Sequence, residues 1–403
     1  MKYFKRDKYT DKIRPFVGKD IIKVLTGQRR VGKSYILYQL MDEIKVSHPD
    51  ANIIYINCEL EEFREIKSSR KLYKYVDSRL VNDRALNYLF IDEIQEISDF
   101  QHTLRSLLAE QKCDIYCTGS NANLLSGELA TFLSGRYIEI NIHSLSYREF
   151  LRFHQLENSP NALGKYLTYG GLPFLINLEL SQQQSFEYLR NVYSAVLLKD
   201  VVARENIRNV SFLENLVSYL ADNVGNLCSA LNISKYLKAQ RIEMNPQIII
   251  NYLKALTNAF FVHKVVRADV QGFKIFETGE KYYFEDLGLR NVIGGFNAAK
   301  DVHKIMENAV YLHLLQCGYK VYVGKLDNKE IDFVAENNGR KLYVQVSLTV
   351  INEDTRQREF DNLMLIGDNY PKYMVTLNDM LIGTDYKGIQ HINLADFLYT
   401  NFE

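Results

Sequence analysis

Gly27-Gln28-Arg29-Arg30-Val31-Gly32-Lys33-Ser34 fits G-x-x-x-x-G-K-[ST], the spacing of a loop that cradles phosphate. Its glycines let the main chain curl so that N–H groups point inward at an anion. Lys33 is placed to meet the β- and γ-phosphates, and the Ser34 hydroxyl to ligate Mg²⁺. Tyr35 follows directly, so the candidate nucleotide-binding set is Gly27, Gln28, Arg29, Arg30, Val31, Gly32, Lys33, Ser34 and Tyr35. Either Arg29 or Arg30 could face phosphate, and spacing does not choose between them. A second constellation is Tyr88-Leu89-Phe90-Ile91-Asp92-Glu93, an apolar run ending in two carboxylates. Asp92 would share the Mg²⁺ with Ser34. Glu93 would polarise an attacking water. The bland alternative for this pair is a solvated loop.

Such groups need rigid elements to hold them. Ile21, Ile22, Val24 and Leu25 precede the glycine loop as a buried strand would. Tyr35, Ile36, Leu37 and Leu40 follow it at helical spacing, so a helix begins near Lys33 and adds its positive N-terminal dipole. Asn52–Cys58 reads as a further strand, Ser69–Arg79 as a charged helix and Phe100–Glu110 as another helix. Asp114–Asn121 is a strand ending in small polar residues. Leu133-Ser134-Gly135-Arg136 then precedes the strand Tyr137–Ile142. An Arg at a loop's end can neutralise transition-state charge in cis or in trans, which makes Arg136 a candidate finger; a plain surface Arg is the alternative. Ser146-Tyr147-Arg148-Glu149 has capping-box spacing.

Together the GQRRVGKS loop, the YLFIDEIQ strand, the YCTGSN strand and the LSGRY turn resemble an AAA-type P-loop ATPase of the prokaryotic class. That resemblance implies an α/β domain with a five-stranded parallel sheet and a helical lid, followed by a winged helix and a small α/β restriction-endonuclease-like domain. It also implies ATP and Mg²⁺ as ligands. In that class the YCTGSN strand lies between the loop strand and the acidic strand, so Ser120 or Asn121 becomes the polar sensor of the γ-phosphate. Ordinary helix capping by these residues is the alternative. The candidate catalytic residues are thus Lys33, Asp92, Glu93, Ser120, Asn121 and Arg136, with Ser34 and Asp92 on the metal.

The expected domains are an ATPase domain over 1–155, a helical lid over 156–210, a winged helix over 211–298 and the endonuclease-like domain over 299–403. Gly170-Gly171-Leu172-Pro173 resembles the lid's turn; Arg190, Lys199, Arg204 and Arg208 follow it as second-sensor candidates or a solvated face. In the winged helix, Phe212, Leu213, Leu216, Leu220 and Val224 form a first helix and Ser229–Leu237 a second. Asn245 caps and Pro246 opens a third. Phe260–Val266 and Phe273–Phe276 are expected to pair as strands around Asp269–Gly272. Gln247, Asn251 and Lys254 would face outward, with Lys235, Lys238, Arg241, Lys264 and Arg267 nearby, a modest basic count that suits DNA or a packing role. Farther on, Glu307, Glu330-Ile331-Asp332 and Gln345-Val346-Ser347 resemble the nuclease core D…(D/E/Q)-x-K, with Ser347 where the lysine belongs. Lys341 or Lys329 could replace that cation from another direction. Glu330, Asp332 and Glu307 could still bind a metal, and the expected end domain is a degenerate fold used for docking or DNA contact rather than nuclease catalysis.

Composition narrows the function classes. The 403 residues exceed one ordinary core. Lys+Arg and Asp+Glu are both 49, so no global field draws the chain to nucleic acid or an acidic membrane. No apolar run approaches the roughly 18 residues of a spanning helix. The charged, aromatic stretch from Met1 to Lys8 is unlike a signal peptide. Five scattered cysteines suit reduced thiols in a cytoplasm, and Cys113 and Cys117 lack a second ligand pair for zinc. Asn328-Lys329 is followed by Ile331 where guanine recognition needs Asp, which leaves ATP rather than GTP. The leading reading is an ATP-driven switch acting on DNA or a protein partner, and an in-trans Arg136 would require a homo-oligomer. The alternatives are an ATP-regulated, metal-dependent DNA nuclease and a non-enzymatic nucleic-acid-binding module with a structural nucleotide. A small-molecule kinase is disfavoured by Glu93.

Overall fold

The computed structural model describes residues 3–122, 133, 135–205, 207–239, 241–272, 274–275, 279–350, 353–377, 382 and 385–402. The chain divides into two compact units: Met1–His143 with Asn258–Phe260, and Ser144–Thr257 with Phe261–Glu403.

In the first unit, α1 (Asp7–Ile13) precedes β1 (Ile22–Thr26), α2 (Lys33–Ser47), β2 (Asn52–Asn57), α3 (Ser69–Asp77), β3 (Asn87–Asp92), α4 (Phe100–Ala109), β4 (Asp114–Gly119) and β5 (Tyr137–Asn141). The five strands form one sheet in the order β2-β3-β4-β1-β5, and every pairing is parallel. A parallel sheet is covered on both faces, so its central strands read as continuous apolar runs. Every residue of β1 and β3 is accordingly buried, while the edge strand β2 is only partly so. Lys23 is the charged exception in β1. Its ammonium pairs with Asp114 and lies over the Tyr116 ring at 5.0 Å. Ile22, Val24, Ile54, Ile56, Leu89, Ile91 and Ile115 fill the core. Each such side chain contributes about 1.5–3 kcal/mol by leaving water. That rigidity fixes the carboxyl ends of β1, β3 and β4 side by side, where ligands bind in open α/β sheets.

The second unit opens with α5 (Tyr147–His154), closed by a capping box in which Ser146 N donates to Glu149 Oε2 at 3.0 Å. Then come α6 (Pro160–Tyr169), a 3₁₀ turn (Pro173–Asn177) and α7 (Gln182–Ala195), which runs on as a π-helical stretch, Val196–Ala203. Three helices follow: α8 (Val210–Asp222), α9 (Ala230–Ala239) and α10 (Pro246–Asn258). Asn245 Oδ1 accepts from Gln247 N at the start of α10. After them lie β6 (Val262–Val265), β7 (Arg267–Asp269), β8 (Lys281–Phe284), α11 (Leu287–Gly294) and α12 (Ala298–Gln316). The chain ends with β9 (Lys320–Leu326), β10 (Lys329–Asn337), β11 (Arg340–Ser347), α13 (Glu353–Met364), β12 (Lys372–Thr376), β13 (Asp385–Tyr386), β14 (Ile389–Asn393) and α14 (Leu394–Tyr399).

Three sequence expectations meet a different arrangement here. The partner of β6 is β8, in antiparallel register, rather than Phe273–Phe276. Phe273 and Phe276 themselves lie outside the described residues, and an Ala268–Ile275 bridge spans the Asp269–Gly272 turn. Nor is there a boundary at 298/299, because β7 adds parallel to β9 and becomes the edge of the seven-stranded sheet β13-β14-β12-β11-β10-β9-β7. The first boundary also falls earlier than 155. Residues after His143 join the second unit, where Leu145 N donates to Gly171 O at 2.7 Å.

Candidate nucleotide-binding site

The loop between β1 and α2 is built so that only certain residues fit. Gly27 has φ 144°, and a Cβ there would come 2.2 Å from Ile142 O. Gly32 caps α2 with φ 98°, again a conformation that favours glycine. Arg30 holds φ 75°, an uncommon value for a side-chain-bearing residue, in the middle of the turn. Val31 is fully buried and anchors the loop from below.

Lys33 is buried, and its ammonium donates to Gly27 O at 2.9 Å and Gln28 O at 3.1 Å. It also lies 3.5 Å from Glu93 Oε1. The Gln28 amide is fully buried with neither its nitrogen nor its oxygen partnered among the described residues. A main-chain curl at a helix N-terminus, a buried ammonium aimed along the loop and an orphaned amide together fit a polyanion with its metal. Gly27–Ser34 would hold the phosphates, and Ser34 with Asp92 the Mg²⁺.

Asp92 ends β3. Burial raises its pKa, opposed by hydrogen bonds from Ser34 and Thr118, with Glu93 raising it again. Thr118 Oγ1 donates to Asp92 Oδ1 at 2.5 Å, and Tyr55 OH to Oδ2 at 3.3 Å. A carboxylate held above its ordinary pKa and beside a serine hydroxyl is under-compensated, and a divalent cation would relieve it.

Glu93 turns off the strand with φ 56°, and its N–H is pinned to Thr118 Oγ1 at 2.9 Å. Burial alone would raise its pKa. The charges of Lys33 and Arg29 and the bonds from Gln95 and Ser120 outweigh burial and hold it at about 2. Ser120 is buried and donates to Glu93 Oε2 at 2.9 Å. Asn121 is half-buried beside it.

The remaining expected site residues fall in different places. Arg29 is buried and pairs with Glu59 at 2.6 Å, while Arg30 is exposed. Tyr35 is 49% exposed and makes edge contacts with Tyr3 and Tyr38. For Arg136 the geometry separates the in-cis from the in-trans alternative. It immediately precedes β5, whose first residue pairs with Ile22 and whose last pairs with Thr26. Arg136 therefore stands at the amino edge of the sheet, and the glycine loop at the carboxyl edge. Five strand residues separate the edges by about 13–17 Å, beyond the reach of an arginine, so Arg136 cannot act in cis.

Two site residues were not picked out from sequence. Thr118 bridges Asp92 and Glu93, yet is one small residue inside an apolar strand; the strand's place beside β3 was the available signal. Arg6 is buried, and its Nη1 donates to Val31 O and His143 O, each at 2.9 Å. It ties the start of α1 to the loop across 25 residues, and no local pattern marks it.

The second unit holds the other expected constellation. Asp332 Oδ2 accepts from Val346 N at 2.8 Å, and Gln345 Oε1 accepts from Asp332 N at 3.3 Å, so the two are brought together. The cation at this cluster is neither Lys341 nor Lys329. Lys329 is exposed and adjacent to Glu330, so strand alternation turns it to the other face. Lys341 lies four residues before Gln345 on β11, roughly 13 Å along the strand. Lys281 of β8 takes the position instead, with its Nζ 2.9 Å from Glu307 Oε1 and 2.8 Å from Glu330 Oε1. In the π-helical stretch, Arg204 pairs with buried Asp200 at 3.1 Å. Gln247, Asn251, Lys254, Lys235, Lys238 and Arg241 are exposed. Lys238 lies 3.7 Å from Glu243 and Lys264 3.3 Å from Glu280. Among the described residues, no helix is long and apolar enough to cross a membrane.

Residues 19–151 match the family model described as an AAA domain, and residues 160–300 match a domain of unknown function, DUF8612. An uncharacterized protein of Haemophilus influenzae is 36% identical over 398 residues, covering 98% of each chain. An uncharacterized protein of Methanocaldococcus jannaschii is 28% identical over 380 residues, covering 89% of this chain and 82% of the relative. Among solved structures, a Walker-type ATPase of Pyrococcus abyssi is similar with a TM-score of 0.49 and 16% identity, across 72% of this chain and 96% of that one.

Proposed function

Since the chain belongs to the family of the Haemophilus influenzae protein and carries an AAA domain, we propose that it binds ATP with Mg²⁺ and hydrolyses it. The cycle would work as a switch acting on DNA or a protein partner. The observation that carries this reading is the convergence of Lys33, Ser34, Asp92 and Glu93 at the carboxyl ends of β1 and β3. ATP with its metal supplies the transferable phosphoryl group and neutralises its charge.

The chain's own groups do the rest. Lys33 exchanges its bonds to Gly27 O and Gln28 O for phosphate oxygens. In doing so it leaves Glu93, and the largest charge holding that carboxylate down is withdrawn. Glu93 then becomes a better proton acceptor for water, while Ser120 keeps it aimed. Thr118 holds Asp92 and Glu93 at a fixed separation. Nucleotide loading and activation of the base are thereby linked through one lysine.

Residues 156–403 would read out the nucleotide state. The order of three helices followed by the antiparallel pair β6 and β8 supports a winged helix in that part. The outer face of α10 offers Ile248 and Ile250 beside a single cation, Lys254, which favours a protein partner over DNA. Binding to duplex DNA that falls steeply with salt would point the other way. The hydrolysis reading is tested by Mg²⁺-dependent phosphate release from wild type and Lys33→Ala; equal rates would sink it.

A further inference from the structure

Lys281 is 1% exposed and aims its ammonium into a group of carboxylates contributed by two other elements. Glu307 comes from α12, and Glu330 and Asp332 from one face of β10; Asp332 Oδ1 lies 3.8 Å from the ammonium. Tyr283, on the same strand as Lys281, donates to Glu307 Oε1 at 2.6 Å. Asp332 and Gln345 are engaged as well. Asp332 Oδ2 accepts from Val346 N, Gln345 Oε1 accepts from Asp332 N, and Gln345 Nε2 donates to Glu359 at 3.0 Å. On the far side, Gly225 packs so tightly that a Cβ there would stand 2.4 Å from Glu307 Oε2.

An endonuclease-like fold implies a divalent metal on such carboxylates. These residues do not fit one. A metal would need the oxygens that Lys281 and the main-chain amides already occupy, and a largely buried ammonium beside it would add like-charge repulsion. We propose that the Lys281 ammonium is the built-in cation of this site, standing in place of a divalent metal and tying β8 to the β9–β11 sheet. The group is an ion-pair joint between the two parts of the unit, and its carboxylates form a latent metal site that one side chain keeps shut. Burial followed by the Glu307 charge keeps the Asp332 carboxyl far above its usual range, as expected where one ammonium faces three acids. Removing one partner of such a buried group leaves the others uncompensated.

The test uses the full chain without nucleotide and measures bound Mn²⁺ by electron paramagnetic resonance. Wild type is expected to show no Mn²⁺ that Asp332→Asn removes. Lys281→Met is expected to gain a site at least tenfold tighter than any in wild type, and adding Asp332→Asn should abolish it. If Lys281→Met is unfolded without metal, refolding by millimolar Mn²⁺ supports the proposal and failure to refold overturns it. Wild-type Mn²⁺ binding lost in Asp332→Asn overturns it too, as does a folded Lys281→Met that takes up no Mn²⁺. The readout is independent of ATP hydrolysis.

Discussion

Thr118→Val tests the least visible part of the site. The substitution keeps shape and burial and removes one hydroxyl. That hydroxyl donates to Asp92 at 2.5 Å and accepts from Glu93 N at 2.9 Å. A hydrogen bond to a charged group is worth about 1.5–3 kcal/mol, and a buried main-chain N–H left without a partner costs about 1–3 kcal/mol. Glu93 sits at φ 56°, a conformation held by its surroundings, so it relaxes once its amide is released. If about 2–4 kcal/mol of positioning is lost from the hydrolytic step, kcat falls roughly 30- to 1000-fold. Lys33 and the main-chain curl are untouched, so ATP affinity should stay within about threefold. Single-turnover hydrolysis gives the first quantity and a fluorescent-nucleotide titration the second. Thr118→Ser retains the hydroxyl and should recover most of the rate. A Thr118→Val protein with kcat within threefold of wild type, or one losing binding and rate equally, would refute the bridging role.

Gly27→Ala should be poorly tolerated, since its Cβ would meet Ile142 O at 2.2 Å. Thermal melting without nucleotide should fall by at least about 4 °C, given roughly 1–3 kcal/mol of backbone strain. Arg6→Ala removes both bonds to Val31 O and His143 O; a loss of roughly 2–4 kcal/mol by urea titration is expected, with ATP bound about tenfold more weakly. The two carboxylates give opposite pH signs. Glu93 is depressed from 4.5 to about 2, so its stabilisation is complete above pH 4.5 and is lost as pH falls toward 2. Asp92 is raised, so it costs stability at neutral pH, a cost relieved by protonation or by Mg²⁺. Calorimetric titration should show Mg²⁺·ATP affinity falling with acid from a higher pH than an ordinary carboxylate would allow. Ser34→Ala, which removes one of the bonds lowering Asp92, should move that midpoint higher still.

The glycine loop and the acidic strand end could be read from sequence because both lie on strands buried on two faces. There, continuous apolar runs and abrupt polar endings survive in the chain itself. The contacts that complete the site could not. Arg6 reaches Val31 and Thr118 reaches Asp92 only because separate elements meet. The position of Arg136 was recoverable in principle, since a residue preceding a parallel strand must stand at the amino edge of the sheet. Lys281 belongs to no motif in the chain, and only the fold turns it inward. The expected boundary at 298/299 failed for a related reason. The three residues of β7 are too short to announce that they belong to the end domain's sheet.

The central claim is that Glu93 activates water on a nucleotide held by Lys33 and Ser34. Steady-state phosphate release and ATP binding, measured on the same preparations of wild type and Glu93→Gln, address it most directly. The account predicts Mg²⁺-dependent release by wild type, and a Glu93→Gln protein that binds ATP at least as tightly yet releases phosphate at least a hundredfold more slowly. Unchanged release by Glu93→Gln, or no Mg²⁺-dependent release by wild type, would contradict it.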